Sequence, residues 1–386
     1  MIETLAPFEY AVPTRIMFGS GHASNLGKIL TTNGYKSAFL VVDPGLHAGG
    51  HLTNVMQSLA GAGISYSVFT DIEPNPVDVA MESGAAQFKA APCDVIIGIG
   101  GGSAMDTAKA IAMLATNPGR IREYDGNDIV PQDAWPLVLV PTTAGTGSEV
   151  TYNLSVTNAD THEKMAVRSV RNCAKLAVLD PELLVKLPAS VAAAAGIDAL
   201  VHAIESYVSN RATPPTRMIA LEAIRLIGQS LERFVANRAD SAAASNMLYA
   251  ASLAGMCISH TGTGAAHAVA RALGGRYNVV HGVACGILLE PVMRFNLETV
   301  LERYAEVGAA LGAPAGGSVR ERAAEAVERV HEIRVNVGLP ERLPIVVEPA
   351  DLPALAQWAA GSSGPNPRKT SVDDAKDLIA AVVTTT

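Results

Sequence analysis

Apolar residues in the first half of the chain fall in short runs separated by stretches with helical spacing. Residues 38–42 form a β-like run that ends at Asp43, and residues 65–69 form another, followed by the turn-rich Glu73-Pro74-Asn75-Pro76. Residues 94–99 lead into three glycines, and residues 137–140 end at Pro141. Helical patterns intervene at 77–90 and 104–114. Strands alternating with helices predict a mainly parallel sheet flanked by helices. The pattern changes near Leu187-Pro188. From Ser190 onward strand signals nearly vanish, and alanine-rich helical stretches occupy 191–208, 217–234, 242–273, 282–296 and 319–337. Alanine favours helix over linker. The expected organisation is an α/β domain over residues 1–187 and an all-helical domain over residues 188–386.

Composition narrows the function classes. A chain of 386 residues with 49% hydrophobic and 17% charged residues is globular and long enough for two domains. Its net charge of −8, without a long Lys or Arg run, argues against a nucleic-acid or anionic-membrane partner. Cys93, Cys173, Cys257 and Cys285 show no CxxC pairing and read as buried thiols of a reducing compartment. The N-terminus lacks the basic-then-apolar order of a signal peptide. No run of about 20 apolar residues is free of charged or turn residues, so no membrane span is expected. The cytoplasm is the expected compartment.

The third apolar run continues as VIIGIGGGS (95–103) and then AMDTAK (104–109), which reads as a strand, a glycine turn and a helix start. Ser103 suits the helix N-cap, and Asp106 completes a capping-box-like pair three residues on. Glycines let a backbone approach a ligand closely, and a helix start attracts phosphate. Three consecutive glycines exceed what a tight turn needs, so the segment reads as a phosphate loop. It departs from the usual dinucleotide fingerprint, in which an acidic residue follows about 20 positions later. The candidate acid here, Asp43, lies 60 positions before Ser103, so two strand ends would have to converge. Otherwise Asp43 is a turn residue before Pro44. PTTAGTGSE (141–149) either lines the cofactor or is an ordinary polar loop.

Within the apolar segment GIDALVHAIE (196–205), Asp198 and His202 are four apart and share one helical face, with Glu205 near the same stripe. Burying such groups unpaired is costly. A mutual hydrogen bond or a shared metal ion would relieve that cost. His267, late in the helical stretch 242–273, and His281, at the start of the next helix, tilt the balance toward a metal. One carboxylate and three imidazoles suit Fe(II) or Zn(II) and do not choose between them. His260, seven residues before His267, is a candidate for orienting the ligands, whereas His22, His47, His51, His162 and His331 read as surface residues.

GGGSAMDTAKA, PTTAGTGSEVT, GIDALVHAIESY, HAVARALGGRYNVVHGVACGILLEPVMRFN and LPALAQWAAGSSGPNPRKTS together cover much of the chain. They resemble the iron-containing (group III) alcohol dehydrogenases, and among these the lactaldehyde and propanediol reductases. The resemblance implies a dehydroquinate synthase-like architecture: a dinucleotide-binding α/β domain, an all-α domain and a cleft between them. It implies metal ligands at Asp198, His202, His267 and His281, with Fe(II) favoured over Zn(II). It places the cofactor pyrophosphate at Gly100, Gly101, Gly102 and Ser103 beside Asp106. It further places the nicotinamide-side loop at Thr142, Thr143 and Thr146, and the adenosine ribose at Asp43. Lys164 and Asn153 match positions near cofactor and substrate. The implied activity is NAD(H)-linked hydride transfer between a small alcohol and its aldehyde or ketone, in a homodimer or a multiple of it.

Two positions depart from the family pattern. Arg271 stands where many members have a second histidine, four residues after His267, and Glu290-Pro291 stands where relatives have proline-histidine. Arg271 lies one turn beyond His267 and either pairs with Glu205 or Glu290 or grips an anionic group of the substrate. The rival readings are an NAD- and metal-using sugar-phosphate cyclase, a glycerol-phosphate dehydrogenase, and a nucleotide-binding protein without catalysis.

Overall fold

The computed structural model describes residues 7–73, 75–161 and 163–385, so His162 lies outside the described residues. Among the described residues nine strands precede the helical half: β1 (Arg15–Phe18), β2 (Ser37–Val42), β3 (Ser65–Phe69), β4 (Val95–Gly100), β5 (Gly126–Asn127), β6 (Leu137–Pro141), β7 (Asn153–Thr157), β8 (Lys164–Arg168) and β9 (Leu176–Leu179). Six of them form a parallel sheet in the order β1-β9-β6-β4-β2-β3. The remaining three form a small sheet, β5-β8-β7, built on an antiparallel β7–β8 hairpin.

Alternation along the central strands explains why they read as unbroken apolar runs. Leu40, Val42, Ile97, Ile99, Val138 and Val140 pack on one face with Leu26 and Leu30 of α1 (Leu26–Thr32), above the short α2 (Pro44–Ala48), and with Val55 and Leu59 of α3 (Thr53–Gly61). Phe39, Val41, Ile96 and Leu139 pack on the other face with Phe88 of α4 (Asp78–Ala90) and Met105, Ala108 and Ile111 of α5 (Gly102–Thr116). A strand buried on both faces has no polar side to alternate. β1, β9 and the β7–β8 hairpin are absent from the predicted elements. β1 and β9 are four residues each, and Ser155 of β7 is exposed between buried Leu154 and Val156.

The chain leaves the sheet after β9. Its helices are α6 (Ala189–Val208), α7 (Pro214–Ala236), α8 (Ser241–Thr261), α9 (Ala265–Tyr277), α10 (His281–Asn296), α11 (Leu301–Ala310), α12 (Val319–Asn336), α13 (Leu352–Ser362) and α14 (Val372–Val382). α6 is buried nearly all round and packs against α7, α8 and α10. α6 and α8 are long and apolar enough to cross a membrane by length and composition, and both are largely buried inside the protein, as core helices are.

Two local expectations are corrected. The stretch 242–273 is two helices, interrupted at Gly262-Thr263-Gly264, where Gly262 takes φ 66°. His267 therefore lies in the first turn of α9, not late in a long helix. The capping box at Ser103 and Asp106 does not form. α5 starts at Gly102 with Gly101 as an N-cap that offers no side chain. Asp106 is drawn away to the small sheet, where it accepts from Ser148 Oγ at 2.6 Å and from the Ser155 amide at 2.9 Å. A glycine cap leaves the amides of the first turn without a side-chain acceptor, the condition that suits an anion.

Candidate metal and cofactor site

Asp198, His202 and Glu205 project from the buried middle of α6. Glu205 accepts from the amides of Gly264 (2.7 Å) and Ala266 (2.8 Å), serving the otherwise unpaired N–H groups at the start of α9. It also lies 2.7 Å from His267 Nδ1. That contact assigns the proton to Nδ1 and turns Nε2 inward, 3.5 Å from Asp198 Oδ1. His281 Nε2 is 3.9 Å from the same oxygen, and His202 Nδ1 is 3.9 Å from Asp198 Oδ2. The His202 and His267 rings stack with centroids 4.5 Å apart.

Among the described residues, Asp198 Oδ1, His202 Nδ1 and His267 Nε2 are buried without a hydrogen-bond partner. Each such orphan costs about 1–3 kcal/mol. Donor atoms of Asp198, His267, His281 and Cys285 lie within 4.8 Å of one another, and His202 Nδ1 stands 3.9 Å from Asp198 Oδ2, an arrangement that fits a divalent cation. The carboxylate–imidazole hydrogen bond that would be the bland explanation for Asp198 and His202 is not made at 3.9 Å. Cys285, one turn after His281 on α10, joins the group with its Sγ 3.6 Å from His281 Nε2. Sequence reasoning missed it, although its i+4 spacing from His281 placed it on the same face. Burial pushes its thiol up to about 12.

The electrostatics of Asp198, His202 and His281 agree with a cation site. Burial works against ionisation of Asp198, yet His202, His267 and His281 hold it well below the usual carboxylate range. Burial pushes His202 and His281 down to about 4 against the pull of Asp198, so both rings are neutral, the form that ligates metal. His267 is the exception: burial opposes its charge, but Glu205 and Asp198 hold its pKa well above the ordinary value, so an ion must displace the proton on Nε2 to bind there.

His281 reaches this point because of Gly282. A Cβ there would lie 2.1 Å from the Ala194 carbonyl oxygen and 3.3 Å from Asp198 Cβ. The start of α10 therefore rests directly on α6. Gly282→Ala is expected to push the two helices apart, lower stability by about 1–3 kcal/mol and weaken ion binding about tenfold or more. Thermal melts and a competitive chelator titration measure both, and unchanged ion affinity would contradict the contact's role.

The cofactor candidates meet at the sheet's switch point. The chain passes from β2 outward to β3, then returns to the other side of β2 with β4, so a crevice opens beyond the carboxyl ends of β2 and β4. The strands pair in register, with Val42 opposite Ile99, and the Asp43 amide donates to the Ile99 carbonyl at 3.2 Å. This pairing brings Asp43 to Gly100 despite their separation in sequence. Gly100 takes φ 154°, and a Cβ there would lie 3.1 Å from Asp43 Cβ and 2.7 Å from Ala104 Cβ. The Asp43 side chain also accepts from the Leu46 amide at 3.1 Å, so it is a turn residue as well. β6 lies on the other side of β4, and the Thr142 amide donates to the Gly100 carbonyl at 2.9 Å.

Two cavities flank this junction. An outer one of about 730 Å³ is lined by Asp43, Leu46, Gly101, Thr142, Thr143 and Val191. An inner one of about 290 Å³ holds Gly102, Ser103 and Thr146 at one side and Asp198, His267 and His281 at the other. Asn153, Lys164 and Arg271 also line the inner cavity. Lys164 Nζ donates to Asn75 Oδ1 (2.9 Å) and Thr157 Oγ1 (2.8 Å), and burial pushes it down to about 8. Asn153 Oδ1 is buried without a partner. Asp106 lines the inner cavity but is engaged with Ser148 and Ser155.

Arg271 does not pair with either predicted carboxylate. Glu290 is taken by Arg294 (3.0 Å) and His331 (2.8 Å), and Glu205 by His267 and the α9 amides. His260 does not serve to orient a ligand: its Nε2 meets the Ala11 carbonyl oxygen at 3.0 Å and its ring packs beside Tyr10. The break after α8 is what turns it away from His267. His47 and His51 are exposed as expected, whereas His22 and His331 are half-buried.

Comparison with known proteins places this site in a family. The iron-containing alcohol dehydrogenase family matches residues 13–181, and the C-terminal part of the Fe-containing alcohol dehydrogenase family matches residues 192–383. The chain is 38% identical over 368 residues to the 1,3-propanediol dehydrogenase of Klebsiella pneumoniae, covering 94% of this chain and 95% of the relative. It is 34% identical to the lactaldehyde reductase of Escherichia coli, covering 94% and 96%. The crystal structure of a 1,3-propanediol oxidoreductase superposes with a TM-score of 0.93 at 36% identity, covering 97% of this chain and 99% of that one. The chain belongs to the iron-containing alcohol dehydrogenase family. It is a metal-dependent, NAD-linked oxidoreductase of alcohols and aldehydes, and the cyclase, glycerol-phosphate dehydrogenase and non-catalytic readings are not favoured.

Proposed function

We propose that this enzyme interconverts a small primary or secondary alcohol and its carbonyl compound on one divalent ion held by Asp198, His202, His267 and His281. The observation that carries the reading is the cluster of donor atoms from Asp198, His267, His281 and Cys285 within 4.8 Å of one another, with Asp198 Oδ1 and His267 Nε2 buried and partnerless among the described residues. An ion there supplies Lewis-acid polarisation of the substrate oxygen, and the nicotinamide ring accepts or returns the hydride. The chain's own residues do the rest. Glu205 orients His267, and Asn153 and Arg271 face the substrate beside it. Gly100, Gly101, Gly102 and Ser103 cradle the pyrophosphate with free amides, while Thr142, Thr143 and Thr146 line the path from Asp43 to the ion. Lys164 holds one wall of the inner cavity, and Asp106 anchors the phosphate loop to the small sheet. The inner cavity, about 290 Å³, favours a short substrate.

Fe(II) is the proposed native ion, with Zn(II) the competing candidate. A division into domains at residues 187/188, a homodimeric assembly and a cytoplasmic location belong to the same reading. The test is a panel of alcohols and aldehydes with NAD(H) and NADP(H), run on protein reconstituted separately with Fe(II) and Zn(II). Net NADH formation from a simple alcohol supports the reading, and no turnover with either ion across the panel overturns it.

Asp43 makes the cofactor choice predictable. A carboxylate at the end of β2 accepts hydrogen bonds from ribose hydroxyls and repels a 2′-phosphate. The enzyme is expected to prefer NAD(H), and Asp43→Gly to narrow or reverse that preference by roughly tenfold or more in kcat/KM, a shift of about 1.4 kcal/mol. Equal efficiency with both cofactors in the unmodified enzyme would refute this role.

A further inference from the structure

The inner cavity carries more positive charge than its protein neighbours neutralise. Arg271 projects into it from α9 and Arg168 from the end of β8. Among the described residues neither guanidinium makes a salt bridge or a side-chain hydrogen bond to a carboxylate, and Arg271 Nε is buried without any partner. Arg271 Cζ lies over the Trp358 ring, 5.6 Å from its centroid. Burial and the proximity of Arg168 both lower the pKa of Arg271, so its charge lacks compensation. Two arginines that repel each other beside a metal site need an anion to share.

The surrounding carboxylates do not supply one. Asp198 belongs to the ligand cluster, Glu205 is bound to His267, and Asp106 is held by Ser148 and Ser155. In the adjoining cavity of about 560 Å³, which Arg168, Arg271 and Lys164 also line, Asp125 accepts from the Ala166 amide, and Asp128 makes no salt bridge to either arginine. Lys164, the third cation on this wall, is bonded to neutral groups alone.

We propose that Arg168 and Arg271 form an oxyanion-binding subsite, and that the substrate is a short aldehyde or alcohol whose far end carries a carboxylate, phosphonate or sulfonate. This rests on the NAD- and metal-dependent reading above. Arg271 is one helical turn from His267, so a chain of two or three carbons spans from the subsite to the ion. Guanidinium edges grip such oxyanions through paired hydrogen bonds. Oxidation transfers a hydride from the carbinol carbon to NAD and releases the hydroxyl proton, while the anionic end is unchanged.

The holoenzyme is assayed with NADH and acetaldehydes bearing a carboxylate, a phosphonate or a sulfonate on the methyl carbon, alongside propanal. Calorimetry measures binding of unreactive propionate, ethylphosphonate and ethanesulfonate in the presence of NADH. At least one anionic aldehyde is expected to outperform propanal, and Arg271→Met or Arg168→Met to lower the anionic-to-neutral ratio of kcat/KM on the order of 100-fold. The matching unreactive anion should bind the unmodified enzyme and neither variant. Arg168→Met leaves the Trp358 contact alone, so it decides the matter if Arg271→Met does not fold. Best turnover of propanal, equal losses on all substrates in the variants, or no anion binding overturns the subsite while the alcohol dehydrogenase reading stands. Arginine-dependent anion binding with no aldehyde reduced at all supports the subsite and overturns that reading instead.

Discussion

The His267→Ala protein is expected to fold, to lose its divalent ion and to lose alcohol oxidation by roughly a thousandfold or more, the scale of a Lewis acid worth several kcal/mol. The fold should survive because the helix start does not depend on the imidazole. Glu205 keeps the Gly264 and Ala266 amides as donors after the ring is gone. The ion should not survive, because the inward Nε2 is removed and the remaining neighbour, Cys285, is held as a neutral thiol. Elemental analysis, circular dichroism and steady-state rates measure the three effects separately. Full activity in thoroughly metal-stripped protein would sink the assignment.

Glu205 offers the second large effect, and through a different route. It touches no reacting atom in the proposed site; it positions His267 and closes the start of α9 at once. Glu205→Gln keeps the shape but removes the charged acceptor that fixes the Nδ1 proton, and ion affinity should fall about 10–100-fold. Glu205→Ala also abandons two buried amides and a histidine whose partner is gone, which should cost about 3–5 kcal/mol of stability. A chelator titration on the Gln variant and denaturant unfolding of the Ala variant separate the two functions. If Gln retains ion as tightly as Glu while Ala merely unfolds, Glu205 is a helix cap only.

Much of this protein was legible along the chain because the signals are local. A strand buried on both faces shows as an apolar run, and a buried helix as dense apolar periodicity, whatever packs against them. Asp198 and His202 share a face by spacing alone, and three glycines after a strand announce a close approach to a ligand. The parallel sheet, the helical second half and the family all follow from such patterns, and the chain's relatives agree.

Tertiary structure decided what lies between elements. Asp43 and Gly100 meet because β4 pairs beside β2 in register, a choice made by burial across both sheet faces and not by either segment. The periodicity of 242–273 hid the break at Gly262, since alanine and glycine on both sides continue the pattern while φ at one residue resets the helix direction. That reset carries His260 to the Ala11 carbonyl and leaves His267 facing α6. Glu205 read as one more residue on a stripe, yet it is the group that joins α6 to α9. Arg168 had no signal at all: it sits on a hairpin too short and too polar to announce itself, and only packing brings its guanidinium to the same cavity as Arg271. Local sequence sets a side chain's phase on its own element, whereas the partner it meets depends on long-range burial that no single segment encodes.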